Sequence, residues 1–453
     1  MTRFAAGWAA IVGAAAATIA LLLLTPGLFG NFWQDDFLLL YHASEARLAS
    51  EPWLGATLWL PHGEVWRPVA GRLLWRFIEG PLGASPVAAG AIAASLWTGA
   101  AALAGLLAAR LADGSRSTAA GAAALFAAHP CGLLPLAWPS ATQESLALAA
   151  AFGATLLALA GSEAEGPRRR WLLSLSACVF GAGLLCKESV LFAPILLGAC
   201  LLATRPRLVR ADLAPAALAA TLALLHLASR HAITFPRDDA QYAAGGAFAL
   251  LRNAAAMTGH ALGVSPFLWH AGTPPGTRFG SVALSLGLVL LAGWTLRAHA
   301  DDPEKRRRAM VLAAGAAVLW MPYVLLRKPP SSYYPLMGLA LLFPLLAPVR
   351  QGFACATAVC VVLSMLSARA PLPAPLARAA WAAEKRPLLD AAPKDAARLW
   401  VLVASERDLA TLGWQRGVAW IASRRYGSIT PVLGREIRPE DLPPGGVVVD
   451  LRE

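Results

Sequence analysis

The chain has 453 residues and a net charge of +12, and 57% of its residues are hydrophobic while only 15% are charged. An average soluble domain carries about 25% charged residues, so the composition excludes an ordinary soluble domain and indicates a membrane protein. The basic residues stand in short clusters between apolar stretches, which is typical of membrane topology and excludes a nucleic-acid-binding stripe.

Apolar stretches long enough to cross about 30 Å of hydrocarbon recur along the chain. About eleven spans are predicted, and their richness in Ala, Gly and Leu favours close packing of α-helices in lipid. They lie at 5–29, 86–109, 117–131, 139–161, 171–187, 189–204, 212–229, 281–298, 309–326, 333–349 and 351–368. Residues 243–270 are apolar but interrupted by polar residues and Pro266, so we expect an interfacial or re-entrant segment there, with a twelfth span as the alternative.

The basic clusters predict the orientation of these spans. If the N-terminus is cytoplasmic, every second loop is strongly basic, as the positive-inside rule requires. The basic loops are those around Arg110, Arg168, Arg205, Lys305 and Arg350. We therefore expect an integral protein of a bacterial inner membrane whose first long loop, 31–85, and C-terminal segment are periplasmic (lumenal in a eukaryote).

Two adjacent carboxylates, Asp35 and Asp36, follow the first span. A charge at the end of a membrane helix must be paired with an opposite charge, hydrated or part of a functional site. Neighbouring carboxylates also raise each other's pKa towards the range in which a carboxylate acts as a base near neutral pH. The pair is therefore a candidate catalytic site. The alternative is that it only marks the polar end of the span.

The residues after Trp66 predict a juxtamembrane helix. Apolar residues from Trp66 to Ile78 follow helical spacing, while Arg67, Arg72 and Arg76 lie off that stripe. Such a basic amphipathic helix would lie along the membrane interface beside lipid phosphates. An ordinary packing helix with snorkelling arginines is the alternative.

Further polar segments fall on the same predicted side. They are His129-Pro130, the segment from Trp138 to Gln143-Glu144, Lys187-Glu188, and the loop from Arg327-Lys328 to Tyr333-Tyr334. Each has an ordinary structural alternative: a helix stop, a carboxylate at a helix N-terminus, a self-neutralising pair, and a Pro-rich turn with stray charges.

These segments resemble a known family over about residues 1–200. An acidic loop, Trp66-Arg67-Pro68-Val69-Ala70-Gly71-Arg72-Leu73, Leu125-Phe126-Ala127-Ala128-His129-Pro130 and Lys187-Glu188 occur in this order. This arrangement resembles the GT-C glycosyltransferases, among them the protein O-mannosyltransferases. It is most similar to the transmembrane, TPR-carrying O-mannosyltransferase-like group, although this chain has no TPR repeats.

The resemblance implies an inverting hexosyltransferase that moves a sugar from a polyprenyl-phosphate donor to a periplasmic or lumenal acceptor, which is a protein or a lipid glycan. Asp35 would be the general base, and Asp36 would orient the acceptor or share a divalent cation, Mg or Mn, with Asp35. The donor phosphate would be held by Arg67, Arg72, Lys187, Arg327 and Lys328. The acceptor or sugar would contact His129, Trp138, Gln143, Glu144, Glu188, Tyr333 and Tyr334.

Two other classes stay open at this point. A transporter or flippase of a lipid-linked saccharide would also need outer basic residues, although the halves of this chain show no repeat symmetry. A catalytically silent membrane scaffold would tolerate loss of the acidic pair.

The C-terminal segment differs in composition from the spans. Three prolines, Pro371, Pro373 and Pro375, predict a stiff linker. After it we expect strands at Trp400–Val403 and Val447–Val449 and a helix at 406–425. The predicted fold is therefore an all-α polytopic membrane domain over 1–370, followed by a small α/β extramembrane domain over 371–453.

Overall fold

A computed structural model of the chain describes a helical protein with a small parallel sheet. The residues described are 2–25, 36, 39–40, 43, 46, 49–59, 66–83, 85–112, 114–205, 210–233, 245–264, 275–327, 330–349, 351–369, 398–403, 428–433 and 447–450. Asp35, Lys328, the proline linker and the predicted helix at 406–425 lie outside these residues.

The α-helices of the described residues coincide with all eleven predicted apolar stretches and add three shorter elements. In chain order they are α1 (Thr2–Leu24), α2 (Leu74–Glu79), α3 (Pro86–Leu111), α4 (Arg116–Ala128), α5 (Leu133–Ala137), α6 (Thr142–Glu163), α7 (Gly166–Leu184), α8 (Ala193–Thr204), α9 (Arg210–Ile233), α10 (Ala247–Ala261), α11 (Pro275–Ala300), α12 (Pro303–Val324), α13 (Leu336–Leu342) and α14 (Gly352–Arg369). Short 3-10 turns occupy Ala56–Trp59, Pro130–Gly132, Pro139–Ala141, Glu188–Phe192 and Phe343–Leu346.

Length and composition qualify only some of these helices as membrane spans. Among the described residues four qualify: Ala5–Leu24, Pro86–Leu111, Pro139–Glu163 and Pro275–Thr295. A fifth results if α4 and Pro130–Ala137, which meet at 59°, are counted as one broken span. The count of eleven crossings therefore stays a prediction. The segment at 243–270 contains α10, a helix of 15 residues, and its position relative to a membrane also stays a prediction.

Local sequence explains where several helices begin. Ser85 accepts a hydrogen bond from the Ala88 amide (3.3 Å) at the start of α3, and Ser115 accepts one from the Thr118 amide (3.1 Å) at the start of α4. These hydroxyls satisfy amides that have no partner within the first turn of a helix. Proline follows the capping residue directly in α3, where its fixed φ suits the first helical position.

Small residues let the helices of the core touch backbone to backbone. A Cβ atom on Gly13 of α1 would overlap the carbonyl of Ala120 in α4, and one on Gly105 of α3 would overlap the carbonyl of Ala119. Trp97, Phe126 and Phe152 are fully buried in the same core, where Phe126 packs against both other rings. This close packing is what the Ala- and Gly-rich composition predicts for helices in lipid.

The juxtamembrane segment is helical but not regular. Pro68–Leu73 form a π-helical turn, in which the Leu74 amide donates to the Val69 carbonyl five residues earlier, and α2 follows. Beyond this turn the predicted apolar stripe is wrong at Phe77, which is 43% exposed while Arg76 is only 8% exposed, whereas Ile78 is buried as predicted. A π-turn holds one more residue than an α-turn and therefore rotates everything after it. Arg76 donates to the carbonyls of Pro52 (2.7 Å) and Trp53 (2.8 Å), which gives it a structural role.

Three strands form a parallel sheet near the C-terminus. β1 (Arg398–Val403) lies between β2 (Ser428–Leu433) and β3 (Val447–Asp450), with Arg398 opposite Ser428 and Leu399 opposite Val447. The two predicted strands are therefore present, and β2 is an additional one. A parallel pair needs a crossover connection of a dozen or more residues, and residues 404–427 provide that length. The separate C-terminal domain stays a prediction.

Candidate functional site

A cluster of charged residues gathers where α6 begins and α7 ends. Arg67 comes just before the π-helical turn, and the Val69 amide donates to the Leu185 carbonyl (3.2 Å), which fixes that turn against the end of α7. Lys187 and Glu188, the third and fourth residues after α7, lie in the connection to α8. This one backbone contact brings together polar segments that are more than 100 residues apart in sequence.

Two ion pairs form the centre of the cluster. Arg67 pairs with Glu188: Nε lies 3.2 and 3.0 Å from its two carboxylate oxygens, and Nη2 lies 2.5 Å from Oε2. The Nη1 atom of Arg67 also donates to Oε1 of Gln143 at 2.7 Å. Lys187 pairs with Glu144, with Nζ 2.8 Å from Oε2. Adjacent residues 187 and 188 therefore each pair with another segment, so the alternative of a self-neutralising Lys-Glu pair is wrong.

The lysine pair is more deeply buried than the arginine pair. The side chains of Lys187 and Glu144 are 9% and 3% exposed, while those of Arg67 and Glu188 are 17% and 18% exposed. Burial alone would lower the pKa of the Lys187 ammonium, but the charge of Glu144 and the nearby Tyr333 raise that pKa well above its ordinary value. Lys187 therefore stays a cation at any physiological pH. Ser189 donates to the same carboxylate oxygen at 3.4 Å.

An aromatic group lies against Lys187. The ammonium is 4.3 Å from the centroid of the Tyr333 ring, a distance at which a cation is attracted by the ring face. Tyr334 packs edge-on against Tyr333 and stacks on Tyr323 with centroids 4.1 Å apart, and Tyr323 meets Phe192. Sequence reasoning missed Tyr323 and Phe192 because both lie within apolar stretches. The position of Tyr323 beside Pro322, near the end of α12, is the one signal that could have found it.

Asp36 is fully buried next to the same helix start. One of its carboxylate oxygens accepts a hydrogen bond from the Ser140 amide at 2.7 Å. Ser140 belongs to the 3-10 turn that leads into α6, and Gln143 and Glu144 follow three and four residues later in the first turn of α6. Asp36, Arg67 and Lys187 therefore all contact one short stretch of chain, 140–144.

The other predicted residues have different surroundings. The Nε2 atom of His129 lies 3.2 Å from the Ala261 carbonyl at the end of α10, and its Nδ1 accepts from the Cys131 amide at 3.3 Å. Trp138 directly follows α5 and is half-buried. Arg72 lies within the π-helical turn. Arg327 is exposed, and its carbonyl accepts a hydrogen bond from Arg252 at 2.5 Å.

Metal binding is not indicated by the side chains described. Among them, no three His, Cys, Asp or Glu side chains lie together in a way that could hold a metal ion. Asp35 is outside the described residues, so a cation shared by Asp35 and Asp36 stays a prediction.

The length of α6 separates this cluster from a basic surface. Arg110 pairs with Glu163 at the other end of α6, where Arg205 donates to the Ser162 carbonyl at 2.8 Å. From Glu144 to Glu163 the helix rises about 28 Å, close to the thickness of a hydrocarbon core. The charged cluster and the Arg-rich loops therefore lie at opposite ends of the bundle, as the positive-inside pattern requires.

The chain is similar in fold to a protein of known structure, but its sequence matches no known family. No protein-family model matches this sequence, and none of the curated proteins matches it. A crystal structure of ArnT from Cupriavidus metallidurans bound to undecaprenyl phosphate aligns with a TM-score of 0.52 and 11% identity, over 97% of this chain and 89% of that chain. The chain has the fold of ArnT. At 11% identity this likeness concerns the fold alone, so membership of the GT-C superfamily and the O-mannosyltransferase-like subtype stay predictions. The apolar helices among the described residues support an integral membrane protein.

Proposed function

We propose that this protein is a membrane glycosyltransferase that transfers a sugar, a hexose by family resemblance, from a polyprenyl-phosphate donor to a protein or lipid glycan. The observation that carries the proposal is the cluster of the buried Asp36 and Lys187 and the partly buried Arg67 around residues 140–144. It occurs in a fold shared with a protein that was crystallised with undecaprenyl phosphate.

The two cations suit a phosphate leaving group. Arg67 places a planar fork in the cluster, and Lys187 adds a point charge with three donor hydrogens, of which Glu144 takes one. A departing lipid phosphate would share these donors with Glu188 and Glu144, and the partial burial of the pairs would strengthen its attraction. Stabilising the leaving group in this way lowers the barrier to transfer.

The acceptor hydroxyl needs a base. We assign this role to Asp35, because Asp36 already accepts the Ser140 amide and is closed off from solvent. Asp36 is then a positioning residue that holds the start of α6 in place. Tyr333 and Tyr334 would offer ring faces to the sugar beside Lys187.

Donor binding tests the first half of the proposal. Purified protein would be titrated with undecaprenyl phosphate and the complex measured by native mass spectrometry. Because a hydrogen bond to a charged group contributes about 1.5–3 kcal/mol, Arg67→Gln and Lys187→Gln should each weaken binding at least about tenfold. Arg110→Gln is the matched control, since it breaks an ion pair at the opposite end of α6. Equal affinity in all four proteins would contradict the assignment of the phosphate site.

Glycan analysis tests the second half. A deletion strain would be complemented with wild-type protein or with Asp35→Asn, and its glycoproteins and glycolipids compared by mass spectrometry. Loss of a general base should lower transfer by about 10²–10⁴-fold. Donor binding without any change in glycans between the strains would favour a transporter or a silent scaffold instead.

The orientation has its own test. A cysteine introduced next to Asp36 should react with an impermeant thiol reagent in intact cells, while one introduced next to Arg169 should not. The reverse labelling would place the cluster in the cytoplasm and exclude a periplasmic acceptor.

A further inference from the structure

A second polar cavity lies at the Arg-rich end of the bundle, away from the site above. Its volume is about 230 Å³, and it opens between the last residues of α3, the last turn of α11 and the first turns of α12. Its polar lining consists of His299, Lys305 and Arg308, and its apolar lining includes Leu312 and Leu345. No carboxylate lines it among the residues that the structure describes.

Arg308 is held rigidly at the wall of this cavity. Its Nη1 atom donates to the carbonyls of Leu111 (3.2 Å) and Ala112 (3.4 Å), which end α3. Its Nε atom is buried and has no hydrogen-bond partner within the described part of the chain. A buried guanidinium N–H without an acceptor is costly, and an anion in the cavity would supply that acceptor.

The other two polar residues can turn to the same anion. Lys305 is exposed, and its ion pair with Asp302 at 3.4 Å is a surface pair that contributes little. The Nδ1 atom of His299 lies 2.7 Å from the Thr295 carbonyl. Because a carbonyl oxygen only accepts, Nδ1 carries the proton there, and Nε2 donates to an anion only when the imidazole is doubly protonated.

We propose that this cavity binds the phosphate of an anionic phospholipid in the leaflet at the Arg-rich end. Basic cavities between the ends of membrane helices suit such headgroups. The mixed lining favours a lipid over a free anion, because Leu312 and Leu345 would contact the glycerol and the first acyl carbons. The proposal is independent of the donor site, which lies at the opposite end of α6.

Retention of lipid by the full-length protein tests the assignment. Delipidated protein would be titrated with phosphatidylglycerol, with phosphatidylcholine as the uncharged comparison, and the bound lipid measured by native mass spectrometry. We expect preference for phosphatidylglycerol, reduced about fivefold by Lys305→Gln and by Arg308→Gln. Arg306→Gln is the matched control, because Arg306 carries the same charge in the same cluster but does not line the cavity.

Each further outcome of the lipid titration either supports or overturns the assignment of this cavity to a phospholipid. Lys305→Gln keeps the test decisive if Arg308→Gln fails to fold, since Lys305 is exposed and anchors no helix end. Equal losses in Lys305→Gln and Arg306→Gln would show a diffuse charge effect and overturn the proposal. Inorganic phosphate that binds with the same sensitivity to Lys305→Gln, in the absence of any preference among lipids, would assign the cavity to a free anion and also overturn it.

Discussion

Breaking the Lys187–Glu144 pair should destabilise the protein much more than breaking an exposed pair. Two unit charges 2.8 Å apart attract each other by about 6 kcal/mol at an effective dielectric constant of about 20. Desolvation offsets most of this attraction, so the intact pair contributes little. In Glu144→Gln, however, the ammonium would stay buried without its counter-charge, and the expected cost is about 3–5 kcal/mol.

Thermal unfolding of the purified protein measures this cost. Glu144→Gln should lower Tm by roughly 5 °C or more, whereas Glu163→Gln, which breaks the more exposed pair with Arg110, should cost less than about 1 kcal/mol. The double variant Glu144→Gln/Lys187→Met should recover part of the loss, because it removes both buried charges. If Glu144→Gln unfolds no earlier than Glu163→Gln, or if the double variant is worse than either single one, the argument from burial is wrong.

Three further predictions concern the same framework. Asp36→Asn keeps an oxygen for the Ser140 amide and should lower the free energy of unfolding, measured by denaturation, by about 1 kcal/mol. Asp36→Ala leaves that amide unsatisfied and should lower it by about 1–3 kcal/mol more. Equal losses in the two variants would exclude the anchoring role. Gly13→Ala should cost about 1–3 kcal/mol, because its methyl group meets the Ala120 carbonyl, whereas Gly7→Ala, with open space around it, serves as the neutral control. The pKa of Lys187 is raised in the folded state, so its contribution to stability should be constant from pH 7 to about pH 10. That contribution should decline only above the pKa of an unfolded lysine. A loss of stability below about pH 9 in wild type but not in Lys187→Met would contradict this.

The sequence predicts the members of the charged cluster better than their pairing. Arg67, Glu144, Lys187 and Glu188 could be selected because they lie in segments that resemble the GT-C family and fall on the predicted outer side. Their partners could not be chosen, since Arg67 and Glu188 are 121 residues apart and meet where the π-helical turn packs against the end of α7.

The sequence also does not predict the π-helical turn at Pro68–Leu73. Apolar spacing from Trp66 to Leu73 fits an α-helix as well as the π-turn, so the spacing predicts the wrong faces for the exposed Phe77 and the buried Arg76. Helix positions depend on long apolar runs and local caps such as Ser85 and Ser115, and for these the sequence is sufficient.

The π-helical turn makes the length of this segment a fixed quantity. Deleting one residue, for example Gly71, would restore ordinary α-helical hydrogen bonds and turn the rest of the segment by about 100°. Arg76 would then leave the Pro52 and Trp53 carbonyls, and Phe77 would swing inward, although no side chain had been altered. Any chain that shares this site should therefore keep the spacing between Arg67 and Arg76 more strictly than the identity of the residues between them.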